Sequence, residues 1–366
     1  MRFTNILVIK LRHIGDVLLA TPVFRALRQA YPEARLTALL NRGTEAVVAH
    51  HPDLHEVLIA EKGATAAQLR FLRELRRKRF DCVIDLTDGD RSAFMSLATG
   101  AGTRVGFNAE HRWRGLLYTH VAKPLPDDAH RIEYDLATVR ALGLPRTISR
   151  PDLYLSPEEE VAATRMLEEL VGSDGPQQKL IMIQPGARYP LKVWPGERFA
   201  ELADRLARAM PCRILFGGDA RERDAAEAVR ARTQCRPTVV AGRLSLLEFG
   251  ALLKQCDLFI GNDGGAMHMA AAVGTPVVAL FGPTYPERWG PRGTPCEILY
   301  KGLDCRACYH PVCIRGDDNC MRLISVDEVF DRCMRLLTNA ERQERTGKYP
   351  NVAVGKAANC SGSGHH

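Results

Sequence analysis

The chain has 366 residues, 46% of them apolar, enough for two ordinary domains with a core each, and its eleven cysteines are too dilute for a disulfide scaffold. No window approaches the roughly 18 uninterrupted apolar residues of a membrane span, and Met1 leads straight into the strand-like ILVIK without signal-peptide anatomy, so a cytoplasmic protein is expected. The net charge of +7 is modest but uneven. The basic cluster at 104–114 suits a phosphate-rich partner such as nucleic acid, an anionic membrane face or a phosphorylated glycan, whereas at 70–79 Leu72 and Leu75 alternate with charges as on a solvated helix face.

Residues 6–9 form a short apolar run, followed by Leu11 to Asp16 and the apolar stretch 17–27, which reads as strand, loop and helix. Pro22 either kinks that helix or starts its second segment. Further strands are expected at 36–40, 57–60, 82–86 and 104–107, with helical patterns between them, which gives a parallel sheet. In the first loop Gly15 permits a tight turn, and Asp16 at the strand's carboxyl end is either a general base facing a cleft or a helix cap. The loop lacks G-x-G-x-x-G, which argues against a dehydrogenase.

A second alternation begins after residue 152. It comprises a helix at 156–171 with a serine cap and acid in its first turn, a strand at 180–183, and a helix at 197–210 with Phe199, Leu202, Ala203, Leu206 and Met210 on one face. Then come a strand at 213–216, a helix near 221–232, a strand at 238–240 and a helix at 245–254. Two α/β halves therefore meet near residue 150, with a cleft expected between them.

The loop QPGARYPLKVWP at 184–195 carries two cations, Arg188 and Lys192, able to clamp a diphosphate or simply to be solvated. In FGGDARE at 216–222, Asp219 or Glu222 is placed to accept from ribose hydroxyls or to favour the first turn of a helix. Residues 257–283 read as a strand, the turn Gly261-Asn262-Asp263-Gly264-Gly265 and a short helix at 266–273. Such a turn aims unpaired backbone N–H groups at whatever lies above it, and two glycines admit a phosphate without a Cβ in the way. His268 is then placed to donate to a phosphate or ribose oxygen, unless Asp263 is only a cap and His268 a satisfied surface residue.

Cys305, Cys308, Cys313 and Cys320 are spaced closely enough for four thiolates to meet on one zinc or iron ion, with His310 as another ligand. A pair of disulfides or four free thiols is the other reading. Residues 325–328 make a capping box that opens a last helix at 326–337, and the tail 347–366 ends in SGSGHH, resembling a linker and a truncated tag.

Together, KLRHIGDVLLATP at 10–22, RYPLKVWP at 188–195, NDGGAMH at 262–268 and FGPT at 281–284 resemble the lipopolysaccharide heptosyltransferase family, from residue 6 to about 337. The four-cysteine segment and the opening motif look most like the heptosyltransferase III type. The resemblance implies a GT-B fold of two Rossmann-like domains facing a cleft: 1–152 for the acceptor, 153–325 for the nucleotide-sugar donor, and a helix at 326–340 crossing back. It implies Asp16 as catalytic base of an inverting transfer without a metal cofactor. Arg188, Lys192, Glu222, Asp263, Gly264, Gly265, His268 and Thr284 are implied at the donor, and Arg12, His13, Arg112 and Arg114 at the acceptor. Ala187 departs from relatives that often carry a hydroxyl there. The implied partners are ADP-heptose and the lipopolysaccharide inner core, with peripheral, electrostatic contact to the cytoplasmic face of the inner membrane, since no hydrophobic anchor is evident. An epimerase on the same plan and a glycan-binding protein without catalysis are the competing classes. Nucleic acid is not expected, because the basic residues are not interleaved with aromatics.

Overall fold

The structure, a computed structural model, describes residues 2–60, 65–108, 110–145, 150–171, 178–305, 308 and 312–346. The expected tail at 347–366 and the alternative ligand His310 lie outside them. The chain divides into two compact units, residues 1–154 and 155–366.

In the first unit, apolar runs bounded by polar residues form strands β1 (Asn5–Lys10), β2 (Arg35–Leu40), β3 (Glu56–Ile59), β4 (Cys82–Asp85), β5 (Thr103–Gly106) and β6 (His120–Val121). All pairs are parallel, in the order β3-β2-β1-β4-β5-β6. Helices α1 (Ile14–Ala30), α2 (Thr65–Arg77), α3 (Asp90–Ala98) and α4 (Arg131–Arg140) accompany them. The central strands β1 and β4 are buried on both faces, hence their unbroken apolar runs. Pro22 neither breaks nor restarts α1, which is continuous. The Leu18 carbonyl, which a proline at 22 cannot serve, accepts instead from the Thr21 hydroxyl at 2.8 Å.

The second unit holds α5 (Pro157–Val171), β7 (Lys179–Gln184), α6 (Gly196–Ala209), β8 (Cys212–Phe216), α7 (Arg223–Arg230), β9 (Thr238–Val239) and α8 (Leu246–Lys254). There follow β10 (Leu258–Asn262), α9 (Gly265–Val273), β11 (Val277–Phe281), α10 (Pro286–Trp289), β12 (Cys296–Tyr300) and α11 (Val326–Thr346). The strands lie β12-β11-β10-β7-β8-β9, all parallel, which repeats the first unit's order. Trp194, Phe199 and Phe216 fill the core with Ile260, and α11 closes it with Val329, Cys333 and Leu337.

Each sheet reverses its winding between its first and fourth strands, at β1/β4 and at β7/β10. Loops leaving the carboxyl ends of those strands part there and open a crevice. The two crevices collect most of the residues singled out above.

Candidate active site

In the second unit the crevice is shaped by Asn262, the last residue of β10. Its Nδ2 donates to the carbonyls of Pro185 and Gly186 at 3.1 and 3.0 Å, and its Oδ1 accepts from the Trp194 amide at 3.0 Å. The buried Trp194 indole donates to the Ile324 carbonyl at 3.0 Å. Pinned at both ends, the 185–194 loop holds Lys192 with its Nζ 2.5 Å from Asp263 Oδ2, an oxygen that also accepts from Thr284 Oγ1 at 2.6 Å. Arg188 is exposed and lies 5.9 Å from the Tyr189 ring centre. Gly264 is the N-cap of α9 in an extended conformation, and no side chain caps the helix. The first-turn amides are thus available to an anion, with the Lys192 ammonium close to the carboxylate that precedes them. His268, the fourth residue of α9, is buried.

Glu222 lies deeper in the same crevice. Its Oε2 accepts from Gln184 Nε2 and from the Asp219 amide, each at 2.9 Å. Burial holds its carboxyl above the usual range, against the lowering pull of the Asp219 amide. A Cβ on Gly186 would lie 2.5 Å from Glu222 Oε1, so the glycine makes room for this carboxylate.

The first unit builds its crevice differently. Lys10, at the end of β1, is fully buried with its Nζ 2.6 Å from Asp135 Oδ2 and 3.3 Å from the Leu86 carbonyl. Arg131 donates to the other oxygen of Asp135 at 2.7 Å and to the Leu86 carbonyl at 2.8 Å. Burial, reinforced by the Arg131 charge, brings the Lys10 ammonium down to about 8. Two cations share one buried carboxylate, and Asp16 supplies the further negative charge that acts on both. Asp16 is half-buried in the first turn of α1 and accepts from the His13 amide at 3.4 Å, so it caps the helix while staying partly exposed.

Arg12 is pinned by two bonds to the Thr87 carbonyl, at 3.1 and 2.8 Å, and His13 is the exposed N-cap of α1. Arg114 departs from the expectation that it meets an acceptor. Its side chain is 2% exposed and faces Asp88 at 2.8 Å, Glu110 at 3.4 Å and Asp90 at 3.5 Å, so its charge is consumed internally. Of the two arginines, Arg112 presents its guanidinium to solvent, beside Glu110 at 3.3 Å.

Cys305, Cys308, Cys313 and Cys320 are free thiols lining one cavity of about 510 Å³, together with Ala187 and Tyr300. Among the described residues no group of three Cys, His, Asp or Glu side chains is placed to hold a metal ion, so the zinc or iron that the spacing permits has no support here. Sequence reasoning missed Asn262 as the staple of the 185–194 loop, and Lys10, Arg131 and Asp135 altogether. Of these, a lysine ending an otherwise apolar central strand was the one available signal.

The family model described as glycosyltransferase family 9 (heptosyltransferase) matches residues 68–317. The chain belongs to glycosyltransferase family 9. It is a glycosyltransferase on that ground, and lipopolysaccharide heptosyltransferase 3 of Escherichia coli K12 is 32% identical to it over 77% of this chain and 83% of the relative. The solved E. coli ADP-heptose lipopolysaccharide heptosyltransferase II superposes with a TM-score of 0.76 at 25% identity, covering 93% of this chain and all of that one. A family 9 glycosyltransferase from Veillonella parvula reaches a TM-score of 0.81 at 24% identity over 92% of this chain and 98% of its own. The expected GT-B fold class, with two Rossmann-like parallel sheets, is borne out. No helix among the described residues is long and apolar enough to cross a membrane.

Proposed function

We propose that this family 9 enzyme moves heptose from ADP-heptose to a sugar of the lipopolysaccharide inner core, with inversion and without a metal cofactor. The observation that carries the reading is the Lys192–Asp263–Thr284 cluster at the uncapped N-terminus of α9, at the switch point of the second sheet. It supplies a cation, oriented amides and a hydroxyl where a diphosphate would lie.

On this reading Asp16 takes the proton from an acceptor hydroxyl as that oxygen attacks the anomeric carbon. The bond from that carbon to the diphosphate oxygen breaks with its electron pair, and ADP leaves. Lys192, Arg188 and the Gly264 and Gly265 amides offset the charge that develops on the diphosphate, the role a divalent ion fills in other transferases. Glu222 accepts from the ribose hydroxyls, and His268 contributes from within α9. Arg12, His13 and Arg112 meet the acceptor, and Arg114 holds the loop that carries Arg112. The acceptor is carried by the cytoplasmic face of the inner membrane. Lipopolysaccharide heptosyltransferase names among the relatives support the substrate pair.

The test is thermal stabilisation by ADP, UDP, GDP and ADP-heptose, each with EDTA, since a ligand of the folded state raises its stability by mass action. Selective stabilisation by ADP and ADP-heptose is expected; preference for UDP or GDP overturns the donor. Asp16→Asn should keep the ADP-heptose shift and lose about 10²–10⁴ in kcat. An active Asp16→Asn enzyme removes the base from this mechanism.

A further inference from the structure

No helix among the described residues is long and apolar enough to cross a membrane, yet the fold assembles an exposed apolar cluster in the first unit. On α3, Arg91, Phe94 and Leu97 recur every three residues along the outward face, with Phe94 53% and Leu97 41% exposed. The short turn Trp113–Leu117 packs on α3 and adds Trp113 and Leu116, 46% and 87% exposed. The Phe94 and Trp113 rings lie 5.0 Å apart. Four large apolar side chains from two distant segments thus form one patch, of the kind that marks an interaction surface.

Arginines border this patch. Arg91 continues the α3 face, and Arg112 directly precedes Trp113. The Arg76 guanidinium of α2 lies against Gly100, just past the end of α3, where a built Cβ would be 2.1 Å from its Nη1. Of the neighbouring acids, Asp88, Asp90 and Glu110 converge on the buried Arg114 beneath the patch, and Glu110 also pairs with Arg112. Arg114 thus engages the three acids next to the patch, with Asp90 and Glu110 still 46% and 61% exposed, and its buried side chain sits in the same turn as Trp113 and Leu116.

The patch also adjoins the first unit's crevice. Asp88, which binds Arg114, follows Thr87, whose carbonyl holds Arg12 and whose hydroxyl accepts from the Leu11 amide at 2.8 Å. Patch and Asp16 are two ends of one short run of contacts.

We propose that Phe94, Leu97, Trp113 and Leu116, bordered by Arg76, Arg91 and Arg112, dock this unit onto an anionic lipid bilayer. Apolar side chains enter the headgroup boundary, Trp113 sits at that depth as an amphipathic ring, and the arginines meet lipid phosphates. The proposal deepens the reading above, in which the acceptor is membrane-borne, by naming the surface that brings Asp16 to it.

The test is co-sedimentation of the full chain, without donor or acceptor, with vesicles of phosphatidylcholine alone and of equal parts phosphatidylcholine and phosphatidylglycerol. Binding to the anionic vesicles is expected, with a blue shift in fluorescence that Trp113→Phe removes; Trp194 is buried and Trp289 half-buried, both in the second unit, so a shift that persists in Trp113→Phe would come from elsewhere and overturn the proposal. Phe94→Ser combined with Leu116→Ser should lower the vesicle affinity at least about tenfold while circular dichroism and thermal unfolding stay unchanged. Equal binding by this double variant overturns the proposal, as does equal binding to both kinds of vesicle. Loss of self-association in the variant, with no vesicle binding by either protein, assigns the patch to a second copy of the chain and overturns it too. If vesicles bind while ADP fails to stabilise the protein, the donor reading falls and this surface stands; the converse result removes the surface alone.

Discussion

The two units wind six strands in the same order and open their crevices at the same topological point, but they furnish them by opposite means. In the second, the working surface is backbone: Gly264 and the amides of α9, with Lys192 paired to Asp263 beside them and Asn262 stapling the loop. In the first it is buried charge, with Lys10 and Arg131 sharing Asp135 beneath Asp16. A backbone site binds an anion at little cost to the fold, because its donors belong to a helix end in any case. A buried ion network instead ties site and stability together, since each charge inside is tolerable only while its partners remain. The same topology therefore yields one crevice whose residues are separable from folding and another whose residues are not.

The largest expected effect tests that division. Asp135→Asn leaves Lys10 and Arg131 buried without their carboxylate, and should destabilise the first unit by about 3–5 kcal/mol in denaturant unfolding while the ADP-induced thermal shift persists. Replacing Lys10 and Arg131 by Met together with Asp135 by Leu should recover much of the loss, because no buried charge is then left without its partner. If Asp135→Asn unfolds like the wild type, the first crevice is not charge-coupled and the contrast fails. Lys192→Met makes the reciprocal case: kcat/KM with ADP-heptose should fall by about 10²–10³ with a smaller loss of stability than in Asp135→Asn, since Asp263 keeps the Thr284 hydroxyl when its lysine is removed.

This contrast also explains what was legible in the sequence. Glycines, a loop with two cations and an apolar strand ahead of a short helix are local signals, so NDGGAMH and RYPLKVWP exposed the second crevice directly. Lys10 and Asp135 are 125 positions apart, and nothing in either segment announces the other. Helix α4 hid for the same reason: its buried face includes Arg131 and Asp135 beside Ile132 and Leu136, which blurs the apolar period. The missed strands had other causes. β11 follows α9 after only Gly274, Thr275 and Pro276, which mark the helix end without announcing a strand, β12 is a half-buried edge strand and β6 is two residues long.

A pH effect sharpens the comparison at a smaller scale. His51 of the first unit is buried between the Phe24 and Tyr154 rings, 5.4 and 5.1 Å away, and accepts from the Asp53 amide at 3.3 Å. Burial, then the Arg25 charge, brings its imidazole down to about 4 from an ordinary 6.5. The unfolded chain therefore binds the proton first as pH falls, and the stability this residue confers is complete above pH 6.5 and is lost between 6.5 and about 4. The loss amounts to at most about 3 kcal/mol. His51→Gln has no such proton to take up, so the difference in stability between wild type and variant should shrink from pH 7 to pH 4.5. A difference independent of pH would mean that His51 ionises in the folded state as it does unfolded.

The smallest effect concerns space. An alanine at 186 places its Cβ 2.5 Å from Oε1, 2.8 Å from Cδ and 2.9 Å from Cγ of Glu222, so the carboxylate must move away from Gln184 and the Asp219 amide. The side chain can yield without unfolding the unit, and ADP should bind about tenfold more weakly, a cost near 1.4 kcal/mol. Gly264→Ala is the informative partner. Its Cβ meets nothing closer than the Asn262 carbonyl at 3.7 Å, and its backbone, with φ of −173°, suits any residue. The protein tolerates that methyl group, so a loss of ADP affinity in Gly264→Ala measures how closely the diphosphate approaches the α9 amides. Unchanged binding in Gly264→Ala together with weakened binding in Gly186→Ala would shift the recognition of ADP from the backbone to Glu222, and the second crevice would then depend on a buried side chain as the first one does.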